Sequence, residues 1–321
     1  MPEVINQNLL TVELALKTTA DESEHISPVL AEIIRADLSL VDGMLRGRSA
    51  TTLLSAALRP HDQDAAIAIA TSAELIHIAN RMHKAVNLLP KENNLAHIHV
   101  LAADFLFSKA TLYISSTRNL RAMEIASRTL TRISEAGFEN VIKGTPGIID
   151  WDNPLQGYIE RVKNEIASVF AACGESGAVI ASLPEELVLV LSNYGLNLGL
   201  VQHIRHGIDF LDRKPEIIHE IRLHNEMGIL LACLAEHFFT AEDRTNLLAM
   251  KAMIQQPSQE KLQGSLELLS VYADQVIPLA EAICHNFSVL AKACIPGEVT
   301  HTQVGDAMVE LVDLASAGHV I

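Results

Sequence analysis

The chain has 321 residues, 49% of them hydrophobic and 4% aromatic, and a formal net charge of −15. The length allows a large buried core, and the low aromatic content favours closely packed helices over a sandwich of aromatic and β-branched strands. The acidic balance argues against a nucleic-acid partner, because phosphate backbones repel it.

Residues 1–27 read as a flexible or helical N-terminal extension, and MPEVINQNLL has no basic stretch followed by an apolar one, so no signal peptide is expected. Ser27-Pro28 then offers an N-cap with proline at the first helical position. The spacing of apolar residues predicts helices over 28–44, 50–57, 63–88, 95–117, 120–136, 155–181, 184–211, 216–238, 241–253, 258–276, 278–294 and 301–316. Ser182–Glu185, Thr240–Asp243 and Thr300–Gln303 resemble capping boxes. GTPGIIDWDNP, 144–154, is the main irregular stretch. No segment alternates at period two long enough to argue a sheet, and no fixed repeat occurs. No apolar run reaches about 18 residues, so no membrane span is expected. The expectation is all-α: residues 1–321 as a single bundle of long helices. Cys173, Cys233, Cys284 and Cys294 form no CxxC pair and read as reduced core thiols, which fits the cytoplasm.

One segment, ELIHIANRMHKAVN (74–87), draws the eye. Leu75, Ala79, Met82 and Val86 form an apolar helical stripe; Ile76, Asn80, His83 and Asn87 form a second beside it; His77, Arg81 and Lys84 form a third. The predicted helices 63–88, 95–117, 155–181 and 184–211 are apolar around most of their circumference, as central helices of a bundle are. Their polar residues therefore point at each other or into a cavity; the alternative is an ordinary solvated face. Metal chemistry finds little support. His97 and His99 point about 200° apart on a helix. His203 and His206 share a face, but no HExxH or repeated ExxH accompanies them, and no metal is expected. No nucleophile elbow or Gly-rich nucleotide loop is present.

Four fragments in order, ELIHIANRMH (74–83), VLAADFLFSKA (100–110), EIASVFAACGESGAVIA (165–181) and YGLNLGLVQHI (194–204), resemble the trans-polyprenyl diphosphate synthases. That family runs ELIHxxxxxHDDxxD, LAGDxLxxxA, KTAxLFxxxxxxGAxxA and YGxxLGxxFQxxDDxxD. The resemblance covers about 28 to 316 and implies an all-α barrel of long helices around a central cavity, the isoprenoid synthase fold. It also implies Mg²⁺ held by two aspartate-rich motifs, since Mg²⁺ takes hard oxygen ligands and neutralises the departing diphosphate.

The departures matter as much. The first motif's aspartates fall at Lys84, Ala85 and Leu88, and the second motif's at His206, Gly207 and Phe210. The lysine of KTA becomes Glu165. The diphosphate-binding GKxxRP segment has its counterpart in Gly47-Arg48-Ser49-Ala50-Thr51-Thr52, which keeps one cation. By resemblance, then, no catalytic residue is retained and Mg²⁺ is not expected to bind. Ala79, with Asn80 and His83, falls at the family's cavity and chain-length position, where a small residue would leave a tunnel open. Leu101, Phe105 and Leu112 would lie on the family's dimer face. Three functions follow as expectations. The first is a non-catalytic second subunit, paired as a homodimer or as a heteromer with a catalytic homologue. The second is a metal-independent binder of an isoprenoid diphosphate through Arg48, Lys84, Arg205 and His206. The third is a divergent prenyltransferase using Asp104, Asp209 and Asp212.

Overall fold

A computed structural model describes residues 1–41, 45–86, 95–142, 153–212, 228–237 and 259–318. Among these, every regular element is helical: α1 (Glu3–Glu24), α2 (Pro28–Val41), α3 (Leu45–Ala56), α4 (Gln63–Ala85), α5 (Leu95–Ser116), α6 (Leu120–Ile142), α7 (Pro154–Val162), α8 (Ser168–Ile180), α9 (Glu185–Asp212), α10 (Gly228–His237), α11 (Gln259–Ala293) and α12 (Gln303–Ser316). A π turn, Lys163–Ala167, joins α7 to α8.

α1 shows how the apolar spacing builds the bundle. Ile5, Leu9, Val12, Leu16 and Ala20 recur every three or four residues and are buried, so one stripe docks the helix against α2, α3 and α4. No side chain caps its start after Pro2, which is why its beginning is hard to read from sequence. α4 is better marked: the Asp62 carboxylate accepts from the Ala65 amide at 3.1 Å. α12 begins two residues later than its predicted capping box, because Thr302, not Thr300, accepts from the Gly305 amide. Ser182 also fails as a cap. It takes a left-handed φ of 51° in the turn after α8, and α9 starts beyond Pro184. The helices predicted over 258–276 and 278–294 are one 35-residue helix with Pro278 inside. The helix predicted over 241–253 lies outside the described residues.

At the centre, α8 lies against α9, α4 against α5, and α3 bridges α4 and α8. Gly174 and Gly195 make the α8–α9 contact possible, since a Cβ at either would collide with the facing backbone, at Leu191 and Phe170. By length and mean hydropathy Glu185–Asp209 could cross a membrane. In the fold this helix is a central member of the bundle, with Leu191, Tyr194, Leu198 and Val201 fully buried.

Candidate functional site

Polar residues of the central helices meet inside the bundle. Arg48, on α3, is 1% exposed, and its Nε and Nη2 donate to Glu74 Oε2 at 2.8 and 2.6 Å. The other carboxylate oxygen accepts from the Ser49 amide and hydroxyl at 3.2 and 2.8 Å. The guanidinium also lies over the Phe170 ring. Burial pushes the Glu74 carboxyl up, against the pull of Arg48. Arg48, expected as an anion contact, has its Nε and Nη2 taken up in the core by a carboxylate one helix away.

Nearly three turns along α4 from Glu74, Lys84 Nζ donates to Glu165 Oε2 at 2.6 Å. Arg161, one turn before Glu165, approaches the same oxygen at 3.7 Å. Asn80 Nδ2 makes a long 3.5 Å hydrogen bond to the Glu165 carbonyl. Glu165 sits in the π turn, and such wide turns re-aim side chains and recur at functional sites. Its carboxylate is almost fully buried, whereas Lys84 retains about a third of its side-chain exposure at 31%. Arg161 stacks over the Tyr158 ring, and Tyr158 stacks on His203. Among the described residues Arg161 Nε and Nη2, Tyr158 Oη and His203 Nε2 have no hydrogen-bond partner. Burial, followed by the charges of Arg48, Arg81 and Lys84, holds His77 well below the usual histidine range. Burial and Arg161 do the same to His203.

The remaining candidates are placed as follows. His206 is half-buried and Gly207 buried on α9. Phe210 is on the same helix, with its side chain outside the described residues. Ala85 ends α4, its side chain likewise outside, and Leu88 lies beyond the described residues. Arg205 pairs with Asp209, four residues on, and approaches Glu281 of α11 at 3.5 Å. His83 Nε2 meets Asp104 Oδ1 at 3.1 Å and lies beside the Phe107 ring. Ala79 is fully buried. A small cavity between Ile69, Ser72, Ile76, Ile114 and Cys173 measures about 30 Å³. That is the volume of about one water in the liquid, too little for a prenyl chain. On α5, Leu101 and Leu112 are 67% and 61% exposed, while Phe105 is partly buried against the core.

The donor set around Lys84 does not suit Mg²⁺. An ammonium holds the Glu165 carboxylate, and Mg²⁺ needs oxygen ligands that are free to coordinate. Among the described residues no group of three His, Cys, Asp or Glu side chains could hold a metal ion. Two participants escaped the sequence reading. Glu74 stands in the ELIH fragment but faces an arginine 26 residues earlier. Arg161 carried one usable signal, its position four residues before Glu165, which puts both on one helical face.

No family model matches the chain. Among curated proteins it is 28% identical over 145 residues to a prenyl transferase of Synechocystis, covering 42% of this chain and 44% of that one. It is 25% identical over 187 residues to heptaprenyl diphosphate synthase component 2 of Geobacillus stearothermophilus, covering 54% and 57%. The chain thus matches about half the length of these curated relatives. Among solved structures it superposes on a polyprenyl synthase of Caulobacter crescentus with a TM-score of 0.78 at 22% identity, over 98% of this chain and 95% of that one. Helical architecture and sequence similarity agree: this chain is a homologue of the trans-prenyl diphosphate synthases, built on the isoprenoid synthase fold.

Proposed function

We propose that the protein is a non-catalytic or regulatory subunit of a prenyl diphosphate synthase in isoprenoid biosynthesis. The observation that carries this reading is the Lys84–Glu165 pair. The resemblance puts an aspartate of the first motif at Lys84 and a diphosphate-binding lysine at Glu165. The signs are exchanged at both positions, and the two side chains neutralise each other where metal and diphosphate would meet. Arg48 and Arg205 are likewise paired with carboxylates. The apolar outer face of α5 and the similarity to a protein named as component 2 support pairing with a catalytic homologue, with a homodimer when the chain is expressed alone. The four free cysteines support a reducing compartment, the cytoplasm.

The test is to purify the chain alone and with the long-chain synthase of its organism. The chain alone should not condense isopentenyl diphosphate with an allylic diphosphate. The mixture should form a complex with altered yield or product length. Mg²⁺-dependent turnover by the chain alone, abolished by chelator, would overturn the reading.

A second reading, metal-independent binding of an isoprenoid diphosphate, draws support from Arg161, whose Nε and Nη2 lack partners among the described residues. Calorimetry with geranylgeranyl diphosphate in EDTA tests it, and absence of heat at high ligand removes it. The divergent-enzyme reading draws less, since Asp104 and Asp209 are already held by His83 and Arg205.

A further inference from the structure

We propose that a polar groove between α6, α8 and α9, outside the central cavity, is a binding site for a phosphate group. The groove measures about 120 Å³. That is several times the roughly 30 Å³ one water occupies in the liquid, enough for a tetrahedral oxyanion. Arg128 and Arg132 stand over it, four residues apart on one face of α6. Two arginines at that spacing repel each other. Only one of them is neutralised: Arg128 Nη2 donates to both oxygens of Glu175, at 2.7 and 2.8 Å. That bond fixes the Arg128 fork and leaves its Nε and Nη1 edge for another acceptor. Arg132 forms no ion pair or hydrogen bond among the described residues, although Glu135 lies three positions further along the helix. The Ser192 hydroxyl, from α9, lines the groove and adds a donor.

The groove is thus cationic by one charge within a chain of net charge −15. A phosphate oxyanion would relieve the Arg128–Arg132 repulsion and accept bidentate hydrogen bonds, the geometry that guanidinium groups favour. Thr129 and Ala172 line both this groove and the small apolar cavity beneath. An anion there would tie α6 to α9 across that cavity wall. The phosphate could be free in solution or carried on a lipid headgroup, and the shared chemistry is the same.

The experiment uses the full chain in phosphate-free buffer at low salt. Calorimetry with inorganic phosphate is run beside co-sedimentation with phosphatidylcholine vesicles with and without phosphatidic acid. Binding is expected in at least one arm and should weaken with added salt. Arg132→Ala should lose about tenfold in affinity, in line with a charge-assisted bond, and Arg132→Lys should retain part of it. Arg132 is exposed, so its replacement leaves the fold intact. Binding of inorganic phosphate alone identifies a soluble phosphate; binding only to phosphatidic acid vesicles identifies a headgroup. Lys84→Met, at the central pair, should leave the affinity unchanged. The proposal is overturned if neither arm binds, if Arg132→Ala binds as well as wild type, or if Lys84→Met abolishes binding, which would move the site to the central cavity.

Discussion

Lys84 and Glu165 meet at 2.6 Å although 81 residues separate them in the chain. The pair ties the end of α4 to the π turn before α8. Lys84→Ala takes from a nearly buried carboxylate its 2.6 Å ion pair, with Arg161 farther off at 3.7 Å. It should cost about 1–3 kcal/mol in urea unfolding, less than a fully buried pair because Lys84 is partly solvated. The exchanged double variant, Lys84→Glu with Glu165→Lys, should recover most of that loss. If it is no better than the single variant, the pair is not the source of the stability.

The Arg48–Glu74 pair is more deeply buried and should be the costlier one to break. Arg48→Met strands Glu74 with only Ser49 as a donor among the described residues. The expected loss is about 3–5 kcal/mol, and replacing both partners, Arg48→Met with Glu74→Leu, should be far milder. Chemical denaturation of the three proteins decides this. A single variant that unfolds at the wild-type midpoint contradicts it.

Stability should fall as acid is added. His77 and His203 are held well below the usual histidine range in the folded chain, with burial as the leading cause. The unfolded chain therefore binds protons first, near pH ~6.5. Stability is complete above that pH and declines below it, by up to about 1.4 kcal/mol per pH unit for each histidine. Glu74, raised by burial, works in the opposite direction, so the informative quantity is the difference between wild type and His77→Gln. That variant should show a shallower decline of melting temperature between pH 7 and 5. Equal slopes would mean that His77 carries its proton in the fold.

Rebuilding one aspartate motif should not create a synthase. Lys84→Asp with Ala85→Asp and Leu88→Asp would face Glu165 with further carboxylates, which repel without a metal. The triple variant is expected to melt below wild type and to show no Mg²⁺-dependent condensation. A stable, active variant would show that these positions are wrongly matched to the motif.

Pairing should depend on the exposed part of α5. Leu112 is 61% exposed, so Leu112→Glu leaves the single-chain core untouched and should shift sedimentation toward monomer. Phe105→Glu is expected to weaken pairing too, but Phe105 also packs on the core, and its loss should lower the melting temperature. If Leu112→Glu assembles like wild type, the interface lies elsewhere.

Much of this architecture is legible in residue spacing alone. The stripe through Leu75, Ala79 and Met82 predicts α4, and these three residues are buried in it. YGLNLGLVQHI falls within the predicted helix 184–211, and in α9 its Gly195 admits the backbone of Phe170. Helix starts were harder, because a cap is one hydrogen bond among several that a Ser or Thr can make. Thr300 and Thr302 both have the right chemistry, and Thr302 is the one that reaches a free amide.

The sequence by itself determined that the chain is helical and which faces are apolar. Those properties follow from the 3.6-residue period and from residue identity, both local. Only the tertiary structure decided that Lys84 closes on Glu165 and that Arg48 is held by Glu74. Each depends on side chains from separate helices arriving within a few ångströms of one another. Ion pairing and close packing act only over that range, and no spacing along one helix encodes which neighbour will be there.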